Sequence, residues 1–109
     1  MTEEEMELLS RYMRWRHFVR DGAMMRIEGY EDERGVSTIL NGELTDAGAF
    51  AVLVVLNMDF KSDYGDFKAG EFDPYGGEWE YFHMDTSSPH VAVAMSAIKK
   101  LRTANGFKN

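Results

Sequence analysis

The residues best suited to chemistry lie in the segment 59–81, where carboxylates alternate with aromatic rings. The acids and rings interleave in Asp59-Phe60, Asp63-Tyr64, Asp66-Phe67, Glu71-Phe72-Asp73, Tyr75 and Glu78-Trp79-Glu80-Tyr81. Carboxylates spaced along short strands imitate a row of phosphates, and flanking rings add contact area at low entropic cost. The pattern predicts a surface for a basic, arginine-rich protein partner, whose own site binds nucleic acid.

The charge distribution favours the same interpretation. The net charge is -7, and the segment 28–85 holds fourteen acids against three bases, Arg34, Lys61 and Lys68. An ordinary surface mixes both signs to limit self-repulsion. The predicted partner-binding residues are Asp63, Tyr64, Asp66, Glu71, Asp73, Tyr75, Glu78 and Glu80. In the alternative, the rings alternate into the core and the acids simply solvate the outer face.

Two groups of residues suggest a different function, a small metal-dependent enzyme or ligand-binding domain. The loop from Asp59 to Asp66 offers carboxylates to a hard cation, although Lys61 takes one ligand position and a closing glutamate is missing at the required spacing. His83, Asp85 and His90 offer two imidazoles and a carboxylate. Against this second group, His83 alternates with aromatic residues on a strand, and His90 falls in the first turn of a helix.

Several other classes find no support in the sequence. There is no cysteine, so a disulfide framework, a thiolate nucleophile and a cysteine-ligated zinc site are excluded. No nucleophile elbow, P-loop or dinucleotide-binding glycine pattern occurs, so no cofactor is implied. The basic residues of the first helix and of the segment 99–108 are few, and the acidic middle repels phosphates. We therefore expect a non-enzymatic binding protein that does not itself bind nucleic acid.

Size and the first residues predict a single cytoplasmic domain, 1–109. The chain starts with the acids Glu3, Glu4 and Glu5, unlike the basic start of a secretory signal. The longest apolar run, 47–56, is far shorter than the roughly 20 residues that span a bilayer as a helix. In size, acidity and lack of motifs, and in these respects alone, the chain is similar to the small acidic inhibitors of phages and mobile elements.

A helix is predicted at each end of the chain. Thr2 and Glu5 form a capping-box pattern, and an apolar stripe through Trp15 extends the first helix as far as Gly22. Ser88-Pro89 starts the last helix, whose apolar stripe includes Ile98 and Leu101. Asn105-Gly106 should end it, with Phe107 folding back toward Leu101.

Strands are predicted between the two helices. Ala23–Tyr30 and Val36–Asn41 should pair as a hairpin, and 78–84 should be the last strand, with Trp79, Tyr81 and His83 on one face. Phe50–Met58 favours a buried strand, with a helix capped by Thr45 as the alternative. The predicted fold class is α+β, with the N-terminal and C-terminal helices packed on an antiparallel sheet of three to five strands.

Overall fold

The computed structural model describes residues 1–104, with the exception of the side chains of Asp63 and Ala104. It is an α+β fold with three helices and two antiparallel sheets, one of four strands and one of three. This confirms the predicted fold class, with the correction that the strands divide between two sheets. None of the helices in the described range is both long and apolar enough to cross a bilayer.

The elements follow one another simply along the chain. They are α1 (Glu3–Met13), β1 (Arg16–Asp21), β2 (Arg26–Glu31), β3 (Ser37–Leu40), β4 (Glu43–Leu44), α2 (Asp46–Val55), β5 (Asp59–Asp63), β6 (Asp66–Asp73), β7 (Glu78–Asp85) and α3 (Pro89–Ala104). The first sheet has the order β1-β2-β3-β4 and the second the order β5-β6-β7. Each sheet is thus a meander of sequential neighbours, and α2 connects the two.

Helix α1 begins as predicted but ends earlier. The Glu5 N–H donates to Thr2 Oγ1 at 3.1 Å and the Thr2 N–H donates to Glu5 Oε1 at 2.8 Å, which completes the capping box. The predicted end at Gly22 is wrong, because Arg14 takes a left-handed conformation with φ 62° and ends the helix. The following segment, Arg16–Asp21, pairs with β2 as a strand, where its aromatic and β-branched residues are well suited.

The strand predicted at Phe50–Met58 is wrong, and the alternative helix is confirmed as α2. Thr45 Oγ1 accepts the Gly48 N–H at 3.1 Å and caps it. Helix α2 runs parallel to α3, since His90 Nε2 lies 2.6 Å from Asp46 Oδ1 at the start of both helices. Near their ends, Lys100 Nζ donates to the carbonyl of Leu56 at 2.7 Å.

Helix α3 lies at the centre of the fold. It contacts α1, α2, β4, β6 and β7, and Ile98 and Leu101 of its predicted apolar stripe are fully buried. Ser88 Oγ accepts the Val91 N–H at 3.2 Å, which confirms the predicted start. The predicted end at Asn105-Gly106, with its Phe107 contact, lies outside the described residues.

The strand pairings of the predicted hairpin are also present. β2 and β3 are antiparallel, with Tyr30 opposite Ile39, and the connection ends at Gly35 with φ 81°. Strand β7 matches the predicted last strand within one residue of its end. The sequence therefore located β2, β3 and β7, whereas it did not delimit β1, β4, β5 or β6.

Candidate functional site

The hairpin of β6 and β7 carries the densest set of the predicted binding residues. Its register places Glu71 opposite Glu80, Phe72 opposite Trp79 and Asp73 opposite Glu78. The turn between the strands is closed by the Gly77 N–H, which donates to the Asp73 carbonyl at 2.7 Å. Four acids are therefore placed at the end of one short, two-stranded segment.

These four acids share one face of the sheet as two directly opposed pairs, Glu71 with Glu80 and Asp73 with Glu78. Directly opposite residues of an antiparallel pair have Cβ atoms about 4.5–5.5 Å apart, and like charges in those positions are destabilising. A protein that keeps two such pairs side by side therefore maintains a concentrated negative charge there at some cost in stability. We refer to these four residues as the acidic face.

Compensation of this charge comes from α3. Lys100 Nζ contacts Glu71 Oε1, and both side chains are partly buried. Within the part of the chain that the structure describes, Asp73, Glu78 and Glu80 form no ion pair, and all three are exposed. Lys100 thus offsets one of the two negative charges at the inner end of the acidic face, and the charge of Asp73 and Glu78 is left unbalanced toward the turn.

Aromatic rings occupy the opposite face of the same two strands. Trp79 contacts Phe72, with ring centroids 5.2 Å apart, and Phe82, with centroids 5.8 Å apart. Phe72 is 41% exposed and Met84, further along β7, is 46% exposed. The acids and rings that interleave in sequence are therefore separated onto two faces in space.

A bulge in β7 decides this arrangement. The pairing shifts between Ala69–His83 and Glu71–Glu80, and Tyr81 sits in the extra position with φ 54°. The predicted face of Trp79, Tyr81 and His83 is consequently wrong, because Trp79 shares a face with Phe82. Helix α3 covers the bulge, where Ser96 Oγ donates to the Tyr81 carbonyl.

The remaining predicted residues are divided between two places. Tyr75 lies in the β6–β7 turn, fully exposed, beside the acidic face. Tyr64 is also fully exposed but lies in the β5–β6 turn, and Asp66 is the first residue of β6, so both are at the other end of this strand, roughly 20 Å away for a strand of that length. Asp63 pairs with Asp66 in the same hairpin, and its side chain is outside the described set. The structure brings together five of the eight residues.

The candidate metal ligands are engaged elsewhere. His90 faces Asp46, while the Asp85 carboxylate accepts the N–H groups of Ser87 and Ser88, at 2.8 and 2.7 Å. The hydrogen bonds from Ser87 and Ser88 lower the pKa of Asp85. Asp59 accepts the Phe72 N–H at 3.0 Å. Among the described residues, no group of three or more histidine, aspartate or glutamate side chains gathers in a geometry that could hold a metal ion.

The sequence did not predict a concave site that lies beside α1. A cleft of 430 Å³ lies between the first turns of α1 and one face of β1 and β2, and Glu3, His17, Glu28 and Tyr30 line it. The prediction of a single helix through residue 22 excluded this cleft, because that helix would replace strand β1, which carries His17. Phe18 and Val19, an aromatic and a β-branched residue, are the signal that a strand interpretation would have used.

No protein-family model matches this chain. Neither does any curated protein or solved structure. We therefore infer its function from the geometry and charge of its own residues.

Proposed function

We propose that this chain is a small, acidic, non-enzymatic binding protein whose β6–β7 hairpin binds a basic protein partner. The observation that carries the proposal is the pair of directly opposed carboxylate couples, Glu71 with Glu80 and Asp73 with Glu78. The partner presents arginines, and its basic surface normally binds nucleic acid. In this proposal the protein acts as a cytoplasmic inhibitor that occupies the place of the nucleic acid, as small phage-encoded inhibitors do.

The physical reason is the repulsion within the acidic face. Repulsion in the Asp73–Glu78 couple costs about 0.2–1 kcal/mol in the free protein, whereas Lys100 offsets part of the repulsion between Glu71 and Glu80. A guanidinium placed between two carboxylates removes that repulsion and forms charge-assisted hydrogen bonds with both, through its planar fork of donors. Binding of arginine is therefore favoured both by the new hydrogen bonds and by the loss of repulsion between the carboxylates.

The aromatic side chains supply the rest of the contact area. Tyr75 is fully exposed at the turn, next to Asp73, and Phe72 is 41% exposed on the opposite face. Tyrosine and tryptophan, like arginine, are enriched in the energetically dominant centres of protein interfaces. A partner that encloses the end of the hairpin would contact carboxylates on one side and rings on the other.

The test compares two variants with the same change in charge. The hairpin variant is Asp73→Asn/Glu78→Gln/Glu80→Gln, and the control variant is Glu4→Gln/Glu33→Gln/Glu43→Gln, in which three exposed acids outside the hairpin are neutralised. Binding of fluorescent deca-arginine and deca-lysine peptides is measured by anisotropy at low and high salt.

We expect the hairpin variant to bind deca-arginine at least about tenfold more weakly than the parent, and the control variant to change by less than about threefold. Deca-arginine should also bind the parent more tightly than deca-lysine, because the lysine ammonium lacks the planar fork. Equal losses in both variants would show that the peptide responds to net charge alone, and the proposal would be wrong.

A further inference from the structure

The cleft beside α1 is distinct from the acidic face and is built by different elements. Its volume, 430 Å³, falls in the range of about 300–1,000 Å³ that is typical of small-molecule sites. Helix α1 contributes Glu3 and Met6 to the wall, and β2 contributes Glu28 and Tyr30. The capping box fixes the start of α1, and pairing with β1 and β3 fixes β2.

The register of β1 and β2 aligns the polar groups of the wall. His17 lies opposite Tyr30, and Val19 lies opposite Glu28, so that His17, Glu28 and Tyr30 share one face. His17 Nε2 is 2.8 Å from Glu28 Oε1, and the ring centroids of His17 and Tyr30 are 5.2 Å apart at an interplanar angle of 64°. The imidazole thus holds the Glu28 carboxylate beside the tyrosine ring.

The permanent charges on this wall sum to one negative charge. Glu3 and Glu28 line the cleft against Arg26, and His17 contacts Glu28. Burial raises the pKa of Tyr30, and the nearby negative charges of Glu7, Glu3 and Glu28 raise it further. A wall of carboxylates and an aromatic ring is the combination that favours a cation.

We propose that this cleft binds a small organic cation of the ammonium type, held by the carboxylates of Glu3 and Glu28 and by the ring of Tyr30. Carboxylates supply the opposite charge, and an aromatic ring attracts an ammonium group through its negatively polarised face. The apolar side chain of Met6 on the wall contacts the carbon atoms of the ligand. This site is independent of the function proposed for the hairpin.

The experiment uses choline as the probe and 3,3-dimethylbutan-1-ol, its uncharged isostere, as the matched control ligand. Each is titrated into the ¹⁵N-labelled protein, and amide shifts are followed by NMR. The variants are Glu28→Gln and Glu3→Gln in the cleft, and the hairpin variant Asp73→Asn/Glu78→Gln/Glu80→Gln serves as a control for binding to the acidic face. Circular dichroism establishes that each variant is folded.

We expect choline to produce saturable shifts in α1, β1 and β2, the isostere to produce none that saturate, and Glu28→Gln to weaken choline binding by about tenfold. The hairpin variant should bind choline as the parent does. If Glu28→Gln does not fold, Glu3→Gln, in the exposed first turn of α1, carries the same test. Shifts that fail to saturate, that follow the isostere equally, that are unchanged in both cleft variants, or that lie in β6 and β7 would overturn the proposal.

Discussion

Glu71 and Glu80 lie directly opposite each other on β6 and β7, and Lys100 on α3 contacts Glu71. The same ammonium group donates to the carbonyl of Leu56 at 2.7 Å, so that one lysine connects the hairpin to the end of α2. Lys100 therefore offsets part of the negative charge where the hairpin meets the core. The unbalanced charge lies toward the turn, where a partner has access.

Repulsion within the Asp73–Glu78 couple, which lies away from Lys100, predicts that Glu78→Gln stabilises the protein. Removing one charge of this couple should raise the free energy of unfolding by about 0.2–1 kcal/mol, with the larger gain at low ionic strength, where screening is weakest. Thermal melts at low and high salt measure it. Glu33→Gln, an exposed acid in another turn, is the control. An equal gain in both variants would attribute the effect to net charge instead.

Close packing of α2 on β3 predicts that Gly48→Ala destabilises the protein. In an ordinary helix interior, this change is favourable by about 1 kcal/mol. Here an added Cβ would lie 2.1 Å from the Thr38 carbonyl oxygen, so the helix has to move. We expect a loss of about 1–3 kcal/mol, measured by urea denaturation. A gain in stability would mean that α2 does not pack on β3 as described.

Burial along α3 predicts a large cost for Leu101→Ala. Leu101 is 1% exposed in the core, whereas Val54 on α2 is 61% exposed. Truncation of Leu101 should cost about 2–5 kcal/mol, and Val54→Ala should change stability by less than about 0.5 kcal/mol. Chemical denaturation of the two variants provides the comparison. Similar effects would contradict the orientation given to these helices.

The environment of Glu5 predicts a loss of stability in acid. The Thr2 N–H bond, with a smaller contribution from Arg102, keeps the pKa of Glu5 below its usual value despite burial. Because the folded pKa is the lower one, the stabilisation is complete above the unfolded pKa of about 4.3 and is lost as the pH falls through the folded pKa. Glu5→Gln should be less stable than the parent at neutral pH and should lose less stability between about pH 5 and pH 3. Parallel pH profiles would contradict this.

Helix starts were predictable from the sequence because capping is a local interaction. Thr2 with Glu5, and Ser88 before Pro89, mark helix starts that the structure contains. The end of α1 was not predictable in this way, because residues 16–21 become a strand through pairing with β2, a distant segment in sequence. Helix α2 is the less favoured alternative in the sequence for a related reason: its valines favour a strand, and only its cap and its neighbours on β3 and α3 favour a helix.

The candidate site was predictable in composition but not in arrangement. The sequence identified the acids and rings of the hairpin, including Glu71, Asp73, Glu78 and Glu80. Their separation onto two faces depends on the bulge at Tyr81, which has a left-handed backbone conformation. Tyrosine does not favour this conformation, so the sequence does not predict the bulge. Tyr64 and Tyr75 lie far apart because β6 is one continuous strand between them, and the sequence did not delimit this strand.

The central claim is that a basic partner binds the end of the β6–β7 hairpin, and NMR mapping tests it most directly. The ¹⁵N-labelled protein is titrated with deca-arginine at physiological salt, and the amide shifts of every assigned residue are recorded. We expect the largest saturable shifts in residues 71–80, and we expect them to be strongly reduced in the Asp73→Asn/Glu78→Gln/Glu80→Gln variant. Largest shifts around the other acids, in residues 28–46, or shifts spread evenly over the surface, would contradict it.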